Sequence, residues 1–316
     1  MIVSVIIPAL NATATLPLQL SALAGQDFDG PWEILIADNG STDDLAACVE
    51  RCRAELDGLP ECRIVDASRV AGAGYARTTA LFHARGELLA FCDADDVVSP
   101  SWLAAIVDGL RTSDVVTGPI IEVTTAQLEA EGPEGLFRSL DGAGRTLSAQ
   151  RGGGIWGGNS GLRRTALSGF APDLMFLEDA AVARRATETG SSRDWIEEAI
   201  VLYRQPEVSS TSFRKGLGNG VGTVQLLREF PELGSALPHP IKSMAWIFLR
   251  APGAVFSPRR APWSRAVGRY TGVVLERILP GLYVGAIRAS SSRRRRSLDA
   301  ALEHTQAAEG PSRPPR

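Results

Sequence analysis

Glu87-Leu-Leu-Ala-Phe-Cys-Asp-Ala-Asp-Asp-Val-Val-Ser-Pro100 is the stretch on which the fold turns. Leu88 to Cys92 is a nearly uninterrupted apolar run, the pattern of a strand covered on both faces of a sheet. It runs straight into Asp93, Asp95 and Asp96, so three carboxylates arrive at the strand's carboxyl end. In open α/β sheets that end faces the ligand crevice, and acids crowded there repel one another unless a cation or proton lies between them. Hard oxygen ligands suit Mg2+ or Mn2+, with substrate phosphates completing the shell. The stretch therefore predicts a site for a metal and a diphosphate. The competing reading is an acidic strand-to-helix turn, with Asp96 or Ser99 capping a helix that begins near Pro100. Asp-x-Asp alone does not exclude it.

The residues on the amino-terminal side repeat one unit. Val3 to Ile7 is a β-rich run closed by Pro8, and a polar turn from Asn11 to Thr15 precedes Leu16, Leu20 and Leu23 at helical spacing. Trp32 to Ala37 is a second strand, delivering Asp38 to Asp44 ahead of the amphipathic segment Leu45 to Leu56, with Ser41 or Thr42 as the expected cap. Asp38, at the strand tip, is placed to accept hydrogen bonds from a ribose or a base N–H. Arg63 to Val65 is a third strand. Gly72 and Gly74 then open a helix, where backbone N–H groups approach phosphate and Arg69 or Arg77 adds charge-assisted bonds. Strand alternating with helix up to Leu110 predicts a doubly wound, mostly parallel α/β sheet, and parallel strands bring the loop Pro8 to Ala14 to the same end as the acids.

Composition sets the outer limits. A chain of 316 residues with 44% hydrophobic content buries a large core, and a net charge of −3 provides no chain-wide field for nucleic acid. Cys48, Cys52, Cys62 and Cys92 are expected as reduced thiols, and with no histidine cluster beside them zinc is not expected. Met1 to Pro8 has no basic region and no long apolar core, so it is read as a strand and not a targeting segment.

Beyond Asp114 the pattern loosens. Val115 to Val123 is expected as one strand, followed up to Gln150 by a glycine-spaced, turn-rich insertion over the site. Arg151 to Asn159 carries five glycines around Trp156, leaving the backbone free to approach a sugar beside an apolar face. Glu178 and Asp179 lead a helix from Ala180 to Thr189 that Gly190 ends, and Ser209 to Gly216 reads as a polar, basic loop whose Arg214 and Lys215 would steady a leaving diphosphate.

Taken in order, Val3-Ser-Val-Ile-Ile-Pro-Ala-Leu-Asn11, Ile34-Leu-Ile-Ala-Asp-Asn-Gly-Ser-Thr-Asp43, Ala76-Arg77 with Gly86-Glu87, and Phe91-Cys-Asp-Ala-Asp-Asp96 resemble the successive signatures of family 2 glycosyltransferases with the GT-A fold. Gly157-Gly-Asn-Ser-Gly-Leu-Arg-Arg164 resembles the segment before the family's acceptor region, and Leu177-Glu-Asp179 its Glu-Asp motif. The resemblance implies a GT-A, Rossmann-like sheet flanked by helices. On the donor side it implies contacts from Pro8, Asn11, Asp38, Arg69, Arg77, Asp93 and Asp95, with Asp95 and Asp93 holding Mg2+ or Mn2+. It implies Asp179 as the catalytic base and Trp156, Gly158, Asn159, Glu178 and Arg214 around the acceptor or leaving group. The chain departs from the family pattern at Thr78, at Gly169-Phe-Ala-Pro172 and at Ala180-Ala-Val182.

From Pro238 the composition shifts to apolar, helix-like segments studded with arginine. Ile241, Met244, Ala245, Phe248 and Leu249 share a helical stripe, while Tyr270 to Ile287 is interrupted by Glu276, Arg277 and Pro280. Neither segment is an uninterrupted span of the length a bilayer requires. With Arg259, Arg260 and Arg293 to Arg296, the expectation is a helical appendage lying on an anionic membrane surface. The expected organisation is a GT-A domain over 1–235, divided into a nucleotide-sugar half (1–112) and an acceptor half (113–235), then the appendage (236–297) and a disordered tail (298–316).

The resulting expectation is an inverting, metal-assisted glycosyltransferase. Its donor would be a nucleotide-diphosphate sugar, with a UDP-sugar as the family-weighted choice, and its acceptor a glycan or lipid-linked hydroxyl. It would be cytoplasmic and peripheral on the inner face of the cell membrane, with no nucleic-acid partner. Two rivals are a haloacid-dehalogenase-like phosphatase, in which the first acid of Asp-x-Asp is a nucleophile, and a non-catalytic nucleotide-sugar-binding protein at the membrane surface.

Overall fold

The structure, a computed structural model, describes residues 2–140, 157–167, 184–186, 188–205, 209–231 and 260–287. Its main layer is a seven-stranded sheet in the order β3 (Glu61–Asp66), β2 (Trp32–Asp38), β1 (Val3–Ala9), β4 (Leu88–Cys92), β8 (Asn159–Arg163), β6 (Val115–Thr117), β9 (Arg193–Trp195). The first four are parallel, and the register aligns Ala9 with Asp38 and Asp38 with Asp66, so their carboxyl ends form one edge.

Side-chain alternation explains why this sheet is covered on both faces. Val5, Ile7, Ile34, Ile36, Ala90 and Cys92 point to one side, where they meet Leu16, Leu20 and Leu23 of α1 (Leu16–Ala24), Leu45 and Val49 of α2 (Leu45–Glu55), and Trp102, Leu103 and Ile106 of α4 (Trp102–Thr112). Ile6, Leu35, Ala37, Leu89 and Phe91 point to the other, against Ala76, Ala80 and Leu81 of α3 (Ala73–His83). Each large aliphatic side chain removed from water in this way contributes about 1.5–3 kcal/mol before conformational entropy is counted. The four cysteines are buried and none is in a disulfide. Burial pushes the Cys62 thiol up to about 12 and Cys92 upward as well.

Beyond β4 the sheet is not simply parallel. β8 runs antiparallel to both β4 and β6, while β6 and β9 are parallel. The expected single strand Val115 to Val123 is split. β6 stays in the main sheet, whereas β7 (Ile120–Val123) joins a second sheet of three strands with β10 (Val201–Arg204) and the two-residue β5 (Val97–Val98). The break falls at Gly118-Pro119, where a Cβ on Gly118 would lie 2.1 Å from the Ala199 carbonyl oxygen and the proline has no N–H to donate.

Several local expectations are corrected. Asp44, not Ser41 or Thr42, caps α2 by accepting from Ala47 N at 3.1 Å. Ser101 is the N-cap residue of α4, and Asp96 is engaged elsewhere. The stretch expected to be turn-rich contains α5 (Thr125–Leu140), broken at Gly132 (φ 66°) ahead of Pro133. The basic loop expected at Ser209 to Gly216 is the start of a long helix, Ser209–Glu229.

That helix packs against the helix Arg260–Ile278 at backbone distance. Added Cβ atoms on Gly216, Gly220, Gly268 and Gly272 would lie 2.0–2.2 Å from carbonyl oxygens of the facing helix, so hydrogen is the side chain that this crossing accommodates. Among the described residues, no helix is long and apolar enough to cross a membrane. Ile241 to Leu249, Arg259 and Arg293 to Arg296, on which the expected membrane surface partly rested, lie outside the described residues.

Candidate functional site

The acids at the end of β4 converge as the sequence predicts. One carboxylate oxygen from each of Asp93, Asp95 and Asp96 lies within 4.8 Å of the others. Asp96 is buried and its Oδ1 accepts from Arg204 N at 3.1 Å. Asp95 is exposed, and its backbone carbonyl accepts from Arg204 Nε at 3.1 Å. Asp93 is held from α3, with Arg77 Nη2 donating to its Oδ1 at 2.5 Å.

Electrostatics make this cluster a cation site. Although Asp95 reaches solvent, desolvation by the protein packed around its carboxyl, reinforced by Asp93, raises that carboxyl above the usual range. Burial, together with Asp93 and Asp95, raises Asp96 well above it. Groups held in this state give up their protons more readily when a divalent ion replaces the missing positive charge. Three hard oxygen donors fit Mg2+ or Mn2+.

Glycine lets the chain close over the acids. A Cβ on Gly157 would stand 2.9 Å from Arg77 Cζ, and one on Gly158 would stand 2.6 Å from Asp93 Oδ2. Asn159, next in the chain, is fully buried. Its Oδ1 accepts from Trp102 Nε1 at 2.9 Å, and its Nδ2 donates to the carbonyls of Pro119 (3.0 Å) and Ala199 (2.8 Å). The structure therefore places Asn159 as a brace between the two sheets, with its amide spent inside the protein.

The remaining expected donor residues lie along the same sheet edge. Asp38 Oδ1 accepts from Gly40 N and Ser41 N, so half of this carboxylate holds its own turn. Asn11, at φ 53°, ties the first loop to the second through Ser41 and Thr42. Pro8 sits beside Ala37 in the register, and Arg69 is exposed on the loop before α3. That loop is clamped by Asn39, which donates to the carbonyls of Ala67 and Val70 and accepts from Gly72 N. Trp156, Glu178 and Asp179 lie outside the described residues.

Two cationic side chains reach the acids from far along the chain. Besides Arg204, Lys215 directs its ammonium to the Tyr203 hydroxyl and over that ring, 4.7 Å from its centroid. Burial pulls the Lys215 pKa down, but Tyr203, Asp93 and Asp95 outweigh it, and the net shift is upward. Arg214 instead lies near Tyr283, whose hydroxyl it acts to acidify against burial. Tyr203 and Arg204 had no local signature, since their strand is short and Arg204's partners, Asp95 and Asp96, stand more than a hundred residues earlier. Asn39 was hidden inside a stretch that reads as turn residues.

This arrangement of acids at a parallel sheet edge can be compared with known proteins. The family model described as Glycosyl transferase family 2 matches residues 4–170, more than half of the chain. The chain belongs to glycosyl transferase family 2. As a family 2 member it is 30% identical over 112 residues to dolichyl-phosphate beta-glucosyltransferase from Saccharomyces cerevisiae, covering 34% of each chain. It is 37% identical over 101 residues to the uncharacterized glycosyltransferase YfnE of Bacillus subtilis, covering 32% of this chain and 25% of that one. The alignments with these curated relatives thus span about a quarter to a third of their length. A mannosyltransferase from Pyrobaculum calidifontis, solved with GDP-Man and Mn2+, superposes with a TM-score of 0.53 at 19% identity over 99% of this chain and 81% of that one, which supports the shared fold. The architecture is GT-A: a mixed sheet flanked by helices with a C-terminal helical extension. Family membership also displaces the phosphatase reading of the Asp-x-Asp segment.

Proposed function

We propose that this family 2 member transfers a sugar, with inversion, from a nucleotide-diphosphate sugar to an acceptor hydroxyl. The observation that carries the reading is the convergence of Asp93, Asp95 and Asp96 at the sheet edge, with Arg204 and Lys215 brought against them from distant segments. Asp95 and Asp93 would hold Mg2+ or Mn2+. When bound, such an ion neutralises negative charge on the departing diphosphate.

The chain's own residues supply the rest. Arg77 fixes the orientation of Asp93, and Lys215, swinging from Tyr203, adds positive charge where the leaving group accumulates negative charge. Asp38, Asn11 and the glycines of the loop before α3 line the nucleoside side of the edge. Asp179 takes the proton from the acceptor O–H as that oxygen bonds to the anomeric carbon. The bond from that carbon to the diphosphate oxygen breaks on the opposite face, and the nucleoside diphosphate leaves with the bonding pair.

A UDP-sugar is the donor we favour, in keeping with the family resemblance. A lipid-linked acceptor is favoured because relatives include dolichyl-phosphate beta-glucosyltransferase and a glucosyltransferase acting on a diphosphoundecaprenol-linked sugar. Such an acceptor puts the enzyme at a membrane surface, on the inner face where nucleotide sugars are available.

The test is a panel of UDP- and GDP-sugars with Mn2+, read by thermal stabilisation and by release of nucleoside diphosphate. Asp95→Asn is expected to lose both readouts. Asp179→Asn is expected to keep the stabilisation and lose transfer. Unchanged transfer in Asp179→Asn removes the base assignment, and no metal-dependent response to any donor removes the reading as a whole.

A further inference from the structure

The helix Arg260–Ile278 ends in a turn whose outer face is apolar. Ile278, Leu279 and Leu282 are 64%, 49% and 54% exposed, and with Pro280, Gly281, Gly285 and Ala286 they outline a shallow recess of about 560 Å³. This is not a frayed end. Glu276 is buried and accepts from Gly281 N on both carboxylate oxygens, and it is paired with Arg228 of the helix Ser209–Glu229 at 3.0 Å. The residues after the turn divide by face. Val284 packs with Val221, and Tyr283, Ile287 and Val70 join that cluster, whereas Leu282 and Ala286, four residues apart on one helical face, point outward.

The inward side chains thus already have their core, and the outward ones form a second apolar surface presented by a pinned turn. An exposed contiguous patch of this kind marks an interaction site. Charge identifies the occupant. From Arg277 to Ser297 the sequence contains six arginines and no acid, although the chain as a whole has net charge −3. Apolar residues flanked by an unbroken excess of cations match a bilayer interface bearing anionic headgroups, where buried apolar area and attraction to anionic lipid act together.

We infer that the turn Ile278–Leu282 is the membrane-docking tip of this protein, entering the interface of an anionic bilayer, with Arg277 next to it and the arginine-rich sequence that follows favouring anionic headgroups. The inference deepens the membrane-surface part of the proposed function and rests on it.

Co-sedimentation of the full chain with vesicles of phosphatidylcholine alone, or of phosphatidylcholine mixed with phosphatidylglycerol, tests it without donor or acceptor, so the result does not depend on the transfer chemistry. Binding is expected only to the anionic vesicles. The triple variant Ile278→Asp/Leu279→Asp/Leu282→Asp is expected to bind about tenfold or more weakly, while its metal-dependent stabilisation by donor is unchanged. Should the triple variant misfold, Leu282→Cys labelled with an environment-sensitive dye replaces it, because the four native cysteines are buried. A blue shift with anionic vesicles is the expected signal. Equal binding of the triple variant, absence of the dye shift, or a dimer that the triple variant converts to monomer overturns the assignment, the last by making a second copy of the chain the occupant.

Discussion

Arg77 Nη2 and Asp93 Oδ1 are 2.5 Å apart, and the backbone of Gly157 and Gly158 closes over the pair. Arg77 is 7% exposed and Asp93 28%, so the acid owes its orientation to a nearly dry guanidinium from α3. Arg77→Met leaves that carboxylate facing two others without the guanidinium that is hydrogen-bonded to it. It is expected to lower stability by about 3 kcal/mol in urea unfolding. Gly158→Ala keeps every charge but drives a methyl group toward Asp93 Oδ2, so it should weaken Mn2+ binding several-fold with a smaller stability change. If titration calorimetry gives Gly158→Ala the parent's Mn2+ affinity, the close approach has no part in shaping the site.

The carboxyls of Asp95, which reaches solvent, and of Asp96, which is buried, are both raised above the usual range, by desolvation first and by their acidic neighbours second. An acid whose folded pKa is raised binds its proton more tightly when folded. These two groups therefore favour the folded state most at low pH and lose that contribution as pH rises from the ordinary Asp value through their raised values. Across that window metal-free protein should lose stability with rising pH, and the gain in Tm on adding Mn2+ should be larger at the alkaline end. Asp96→Asn preserves an acceptor for Arg204 N and removes one buried charge. It should be more stable than the parent without metal at neutral pH and less responsive to Mn2+. A metal response in the parent that does not vary with pH contradicts this account.

Asn159 makes its three hydrogen bonds to Trp102, Pro119 and Ala199 in the interior. Replacing it by leucine strands the Trp102 Nε1 donor and the Ala199 carbonyl, while the Pro119 carbonyl keeps its bond from Val201 N at 3.1 Å, at a cost of about 1–3 kcal/mol for each group left unsatisfied. Asn159→Leu is expected to lower the denaturation midpoint sharply, with an unchanged m-value in the fraction that folds. A variant near parental stability would show that water enters this interior.

How far the sequence could be read follows from how local each signal is. The four parallel strands, their helices and the acids after Cys92 were legible because an apolar run followed by turn residues is complete within about ten positions. The antiparallel β8 was not, since a strand's direction is set by the partner it finds, and its partners Leu88 to Cys92 and Val115 to Thr117 lie far from it in the chain. The helix Ser209–Glu229 was misread as a loop at its start because serine and glycine have low helix propensity; its glycines are explained by a facing backbone that the sequence does not display. At the site, the acids and Arg77 stood out by charge and position. Lys215 was already a candidate for the leaving diphosphate, though on an expected loop and not a helix, whereas Arg204 carried no signal until β10 brought it to Asp95 and Asp96.

Lys215 provides the sharpest separation between holding donor and expelling its leaving group. Its ammonium is charged at neutral pH, since the influence of Tyr203, Asp93 and Asp95 exceeds the effect of burial. A charge tethered to a tyrosine beside the acids, but not fixed in the cluster by a direct ion pair among those described, is free to follow the diphosphate as the bond to sugar lengthens. Lys215→Met should reduce kcat by about 10²-fold or more, the scale of losing one group that stabilises developing charge. Mn2+ affinity should change little, and KM for the donor less than kcat. Tyr203→Phe, which removes the tether and leaves the charge, should fall between parent and Lys215→Met, and Lys215→Arg should recover part of the rate. A Lys215→Met enzyme whose defect lies wholly in KM would place the ammonium on ground-state donor, and one with parental kcat and KM would remove it from the reaction.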